Sequence, residues 1–538
     1  MSRMGSGLRK SLVLVGVLAL VVPVLFAFAA PVSAATLRVN NGVACDDGTG
    51  DPYCTIQAAV DDAGDGDVIQ VYPGTYTEGV DLSNMGMGTE GDLTLVTVNN
   101  AGNPTPGTVT VHNTGIPAEF YTDSAFDGDL TIDGFIVHSA APGIDVAVDG
   151  GAGANRNVVI QNVMATETEH DGIQVSADGN VTISNCTASD NAYNGINVTG
   201  VGGDVVIADC TANDNGPGPE YKYSGIHVDG VGGDVIITDT TANGNGEWGI
   251  LVYIPRPAPT EAGVANGVAG GDVTITNSTA NGNGEDGFWV GGSKTVSVGN
   301  ATVRNCTANG NVESGFDQEY ISSQLTIQDC IAQDNDDGVD LYQMSMASGV
   351  LVNGNIICEN RCGVSDPVSQ LNAEGNWWGC PGGPGAVGCD PICQTDGIAV
   401  DFAPWISKIS ASSSVDSATA GQPALVSFQF SGGPPTVYLG QGPGDLRGPA
   451  PFTVTTDNGA VASSGFIGGS AGTLEVTLTP THAGTATVWV DGPCGLDGSI
   501  VLGVVAAAEF VPEPGSVMLL GSGLLGVAGY AGLRLRKR

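Results

Sequence analysis

The chain has 538 residues, 83 of them Gly, with aromatics at 6% and a formal charge of −41. That length exceeds one small core, and so many glycines beside so few aromatics favour turns and short strands over helical bundles. The charge excludes nucleic acid and anionic lipid as partners, since phosphates are repelled, and leaves divalent cations or neutral sugars.

Residues 1–34 read as an export signal, with basic Arg3, Arg9 and Lys10, an apolar run from Ser11 to Ala30 and a small-residue site at Val32-Ser33-Ala34. The run is long for a cleaved signal, so an uncleaved anchor is the alternative. Twelve cysteines in an exported chain imply disulfides. Cys45 and Cys54 bracket a short loop and are expected to pair. Cys358, Cys362, Cys380, Cys389 and Cys393 crowd one region, and the sequence leaves their pairing open. The "CPGGPGAVGC" spacing imitates zinc ligands, but no His lies nearby.

A repeat follows. "TANGNGEWGI" at Thr241 to Ile250 returns as "TANGNGEDGF" at Thr279 to Phe288, and the x-Gly-apolar step recurs at Gly172, Gly195, Gly225, Gly249, Gly287, Gly315, Gly338 and Gly363. Alternating strands such as "NVTISN", "DVVIAD" and "DVIITD" precede each step. Alternation puts one face in and one out. A period in the twenties without helical spacing gives a stacked solenoid, each coil about 4.8 Å above the last. The fold class expected is all-β, a right-handed parallel β-helix, with the hand taken from the general chirality of parallel crossovers. One Asn per coil, as at Asn191, Asn215 and Asn245, is expected to sit in a left-handed turn and stack as a ladder, and the repeat Gly to supply the same conformation. Cys186, Cys210, Cys306 and Cys330 share one coil position. They are either small buried thiols or two bridges between adjacent coils.

"CTIQAAVDDAGDGDVIQVYPGTYTEGV" (Cys54 to Val80) resembles the opening of pectin-lyase-like β-helix proteins, and "GNWWGCPGGPG" with "VDFAPWI" resembles their closing coil. The resemblance implies that a short amphipathic helix caps the first coil. It covers the domain at 35–408 and speaks for fold more than for activity. The Gly-His-Gly and Arg-x-Lys of polygalacturonases are absent. "GFDQEY" holds only part of the Asp-Pro-His pattern of mannuronan epimerases, and of the bases that pectate lyases use only Arg304, Lys294 and Arg361 are near the candidate face.

At 409–510, "ALVSFQF", "FTVTTD", "LEVTLTP" and "ATVWVDG" are short strands about a dozen residues apart. They suit a small immunoglobulin-like β-sandwich serving as a spacer, whose Cys494 either joins the cysteine cluster or stays free. At 511–538, Pro512-Glu513-Pro514 precedes an apolar segment at 517–533 and an Arg-rich tail, an order that resembles the PEP-CTERM sorting signal. The segment is just long enough to span a membrane. The resemblance implies an exosortase partner, passage through the inner membrane, and delivery to the cell surface or extracellular matrix. A plain anchor gives the same topology.

Two residues past each repeat Gly come Gln174, Asn197, His227, Leu251, Trp289, Asp317, Asp340 and Ser365; four past come Asp229, Tyr253, Gly291, Glu319 and Tyr342. These form two outward rows, in which His227, Tyr253, Trp289, Glu319 and Tyr342 mix ring faces with polar groups that suit sugars. Insertions at Gly216 to Tyr223 and Tyr253 to Gly263 could wall a groove. Asp317 and Asp340, on neighbouring coils, are either a catalytic pair at the roughly 5 Å separation of retaining glycosidases, a calcium site together with Glu319, or a plain acidic stripe. His170-Asp171 is an acid/base pair or a surface hydrogen bond. The function expected is to bind or organise extracellular polysaccharide. The alternatives are a lyase, glycoside hydrolase or epimerase in the same groove, or a structural adhesin without catalysis.

Overall fold

The computed structural model describes residues 34–507 apart from internal stretches, of which 255–270 and 432–452 are the longest. The export signal up to residue 33, Lys294, Pro512-Glu513-Pro514 and the apolar segment at 517–533 lie outside the described residues. Among the described residues no helix is long and apolar enough to cross a membrane.

The repeat builds a three-faced solenoid of parallel strands. Among the described residues, one face is a thirteen-stranded sheet and the second an eleven-stranded sheet. The third is shorter, with four strands near the start and three near the end, joined by single bridges from Thr187 through Thr211, Thr241 and Thr279 to Thr307. The strand Val181–Ser184 pairs in register with Val205–Ala208, and so on up the stack. Val181, Val205 and Val235 therefore form one column and Ile183, Ile207 and Ile237 the next, all fully buried. Each such side chain contributes about 1.5–3 kcal/mol through burial. A coil gains this only against its neighbours, which is why the phrase must recur.

The turns are held by buried asparagines. Asn191, Asn215, Asn245, Asn283, Asn311, Asn335 and Asn360 form a column closed by Asp390. At each step a backbone N–H and an Nδ2–H donate to the next Oδ1, as from Asn245 to Asn283 at 2.9 and 3.1 Å. The ladder is as expected, but its cause differs. The left-handed residue is the one before the Asn, such as Asp190 (φ 60°), Asp214 (φ 55°) or Gly244 (φ 66°). The repeat glycines are not left-handed either. They are needed for close approach, since a Cβ on Gly287 would lie 2.8 Å from the Gly315 carbonyl oxygen.

The two ends are closed. The helix Ile56–Asp62 buries Ile56, Ala59 and Val60 against the first coil; Thr55 caps it, and Glu78 accepts from the N–H groups of Ile56 and Gln57. At the far end Trp377 and Trp378 are buried. Lys408–Ser413 then opens a sandwich of two four-stranded sheets. Rather than standing off as a spacer, the sandwich shares a core with the last coils, in which Ile331, Ile356 and Trp377 meet Ile409 and Leu496. A Cys358–Cys494 disulfide ties the two parts. Cys45–Cys54, Cys362–Cys393 and Cys380–Cys389 are also bonded, so these cysteines are not zinc ligands. Cys186, Cys210, Cys306 and Cys330 are buried free thiols, not bridges between coils. The Sγ of Cys186 and Cys210 face the carbonyls two residues earlier, at 3.3 and 3.2 Å, which directs them along their own turns.

Candidate functional site

The outer face of the eleven-stranded sheet carries the two rows in the expected register. Asn197, His227, Leu251, Trp289, Asp317 and Asp340 are successive partners across neighbouring strands. Asp229, Tyr253, Gly291 and Glu319 form the second row beside them. Ile226, Ile250, Phe288, Phe316 and Val339 point inward and are buried, with Phe288 and Phe316 stacked at 5.1 Å. Tyr342 lies just beyond the strand Asp337–Asp340 and is 45% exposed.

Trp289 is the centre of the face. A Cβ on Gly291 would fall 2.6 Å from its Cη2, so the indole lies across that glycine and fills the gap between Tyr253 and Glu319. Its ring centroid is 5.9 Å from that of Tyr253 and 6.5 Å from that of Trp248. Trp248 was not anticipated. It sits one residue before its repeat Gly, where its Nε1–H donates to Asp286 at 3.1 Å. A second ring cluster continues the patch along the turn, where Tyr193 stacks on Tyr223 at 4.3 Å and meets His170 at 4.6 Å.

Carboxyls crowd the other side of Trp289. Asp286, also missed from sequence, is buried and accepts from the Ser314 N–H at 2.6 Å. Burial, then the Glu313 charge, raises its pKa to about 7 against the lowering pull of the Ser314 N–H. Asp340 is raised to about 6, chiefly by burial. Asp317, between them, is pushed well up by burial and then by Asp286 and Asp340. Burial also raises Glu319 and lowers His227, against the Asp229 charge. The Oδ1 atoms of Asp317 and Asp229 are shut off from solvent and accept no hydrogen bond. Such groups cost free energy until a donor reaches them.

The other sequence candidates fall elsewhere. Arg304 lies on the thirteen-stranded sheet beside Asp329, away from this face. Arg361 lies at the edge of the face, where its guanidinium is held by Asp336 and Asp337. Asp171 accepts from the Asn194 N–H, Asn194 Nδ2 and Asn197 Nδ2, which makes it a brace between coils rather than half of an acid/base pair with His170. Of the two insertions, the stretches 219–222 and 255–263 lie outside the described residues. Among the described residues, no three acidic, imidazole or thiol groups converge as a metal site, so calcium would have to draw Asp317, Glu319 and Asp340 together.

Residues 114–302 and 260–376 match the family described as right handed beta helix region, and residues 510–537 match the PEP-CTERM protein-sorting motif. Among solved structures the chain is similar to the A-module of the Azotobacter vinelandii mannuronan C-5 epimerase AlgE4, at 15% identity and TM-score 0.43, over 64% of this chain and 91% of that one. It is similar also to pectate lyase Pel9A, at 18% and 0.36 over 64% and 80%, and to a rhamnogalacturonan lyase, at 14% and 0.36 over 69% and 87%. No curated protein matches it. The sorting motif implies export and processing by an exosortase. Stacked parallel strands in the middle and a sorting motif at the end make this chain a right-handed parallel β-helix repeat protein with a C-terminal PEP-CTERM signal.

Proposed function

We propose that this is a cell-surface or extracellular-matrix protein that binds or organises extracellular polysaccharide on the outer face of its eleven-stranded sheet. The observation that carries this is the continuous ring surface of Trp248, Trp289 and Tyr253, set on a rigid sheet and bordered by carboxyls. Sugar rings stack on such faces while their hydroxyls reach the polar rim. Trp289→Ala should weaken polysaccharide retention about tenfold, the loss of one stacking contact worth ~1.4 kcal/mol. Thermal stability should change little, because Trp289 lies outside the core. Affinity electrophoresis in gels of anionic, neutral and amino polysaccharides measures this, and a protein retarded by none of them would sink the proposal.

The raised carboxyls favour a second reading. With Asp286 near 7 and Asp340 near 6, protonated and ionised carboxyls coexist around Asp317 at neutral pH, as glycoside hydrolysis requires. Binding alone predicts no new reducing or unsaturated ends when polysaccharide is incubated with the protein. Release of such ends, lost at least a thousandfold in Asp317→Asn, would instead make the face an active site.

A further inference from the structure

We infer that the polysaccharide taken by this face is a cationic glycan carrying free amino groups, rather than a uronate polymer. The inference rests on the polysaccharide-binding reading and narrows it to one chemical class.

Charge supports it first. Asp286, Asp317, Glu319 and Asp340 gather beside the Trp289 ring. Along the adjoining turn, Glu247, Glu285, Glu313 and Asp336 follow one another from coil to coil, linked through the backbone. Among the described residues the only cation on this face is Arg361, and Asp336 and Asp337 already hold it. A sugar carboxylate laid on Trp289 would meet several carboxyls and, among the described residues, no free counter-charge.

Hydrogen bonding supports it independently. The Oδ1 atoms of Asp317 and Asp229 are enclosed acceptors without donors, and Asp340 has only the Ser365 hydroxyl beside it. An ammonium brings three N–H donors and a positive charge, whereas a carboxylate brings only further acceptors. The rings agree, since a cation is also attracted to the faces of Trp289 and Tyr253. Burial and mutual repulsion raise the carboxyls in the empty site, so an arriving ammonium would favour their ionised form and be held more tightly as pH rises from about 4.5 to 6, before the sugar amines lose their own protons.

The test uses the full chain and three hexasaccharides, of glucosamine, N-acetylglucosamine and galacturonate, titrated calorimetrically at pH 6.5 with and without EDTA. Glucosamine hexamer should bind at least tenfold more tightly than its N-acetylated counterpart, and galacturonate should not bind. Asp317→Asn/Asp340→Asn should weaken glucosamine binding at least tenfold. A control pair, Asp209→Asn/Asp239→Asn, removes the same charge from the turn between the thirteen-stranded sheet and the third face, where Asn185, Asn277 and Asn305 occupy the same left-handed position. That pair should stay within twofold of the parent.

Equal losses in both pairs would reduce the effect to attraction of a polycation by an acidic chain and overturn the inference. Galacturonate binding that EDTA abolishes would mean a calcium bridge, and would overturn it too. Both results, like equal affinity for the N-acetylated hexamer, leave polysaccharide binding intact. If no hexamer binds and no gel retards the protein, the broader proposal falls with it.

Discussion

Replacing Asn283 by alanine should destabilise the solenoid by about 3–5 kcal/mol, more than any substitution on its outer face. The Asn283 Oδ1 accepts both the N–H and the Nδ2–H of Asn245, and its own Nδ2–H donates to Asn311 at 3.0 Å. Truncation orphans the Asn245 N–H and a lone pair on the Asn311 Oδ1, both enclosed, and leaves a void in a column with no slack. Since whole domains are stable by only about 5–15 kcal/mol, the loss should show as a large drop in denaturant midpoint. Asn283→Asp should fall between parent and alanine, because a carboxylate keeps the acceptor and gives up the donor. Asp390 shows where that trade is tolerated. It ends the column, accepting from the Asn360 N–H and Nδ2–H at 3.0 and 2.8 Å. An alanine variant as stable as the parent would mean the ladder is not what holds the turns.

The face was legible in sequence because each repeat Gly fixes the phase of the strand that follows it. Counting two and four residues on placed His227, Trp289, Asp317 and Tyr253 in their observed rows, since strand periodicity carries the side-chain direction. Trp248 and Asp286 escaped because they precede that Gly, in a turn where alternation says nothing about direction. Their letters stand in the repeated phrases themselves, as "EWG" and "EDG". The turn conformations were misassigned for a related reason. Asn is common both in left-handed turns and in side-chain ladders, and only the backbone shows that Asp190 and Gly244 take the first role and Asn191 and Asn245 the second. The Cys358–Cys494 link spans 136 residues, and the shared core beside it depends on how two units dock. No local pattern encodes either.

Stability should also fall as pH rises from 4 to 8, and Asp286→Asn should flatten that fall. Asp286 sits near 7 and Asp340 near 6 in the folded chain, both above the 3.8 of a free aspartate. Below about pH 3.8 folded and unfolded forms are both protonated, and the contribution of these groups to stability is fully present. As pH rises the unfolded chain ionises first, and the contribution is lost through the window ending near 6 for Asp340 and 7 for Asp286. At about 1.4 kcal/mol per pKa unit, the loss amounts to a few kcal/mol for the buried Asp286. Asp336, lowered by hydrogen bonds from Arg361, acts in the opposite sense at lower pH, and it is exposed enough to matter little. Asn at 286 carries no charge and keeps an acceptor for the Ser314 N–H, but it sets its Nδ2 against the Trp248 Nε1–H at a cost independent of pH, so the variant should be less stable than the parent at pH 4 and recover part or all of that loss by pH 8. Urea unfolding at both pH values measures this, and parallel stability curves for parent and variant would show that Asp286 does not titrate in this window. The same repulsion that weakens the folded face at high pH is what a cationic ligand relieves. Glucosamine hexamer should therefore raise the melting temperature more at about pH 6 than at about pH 4.5, a range in which its amines stay largely charged, and that difference should shrink when Asp317 and Asp340 are both Asn.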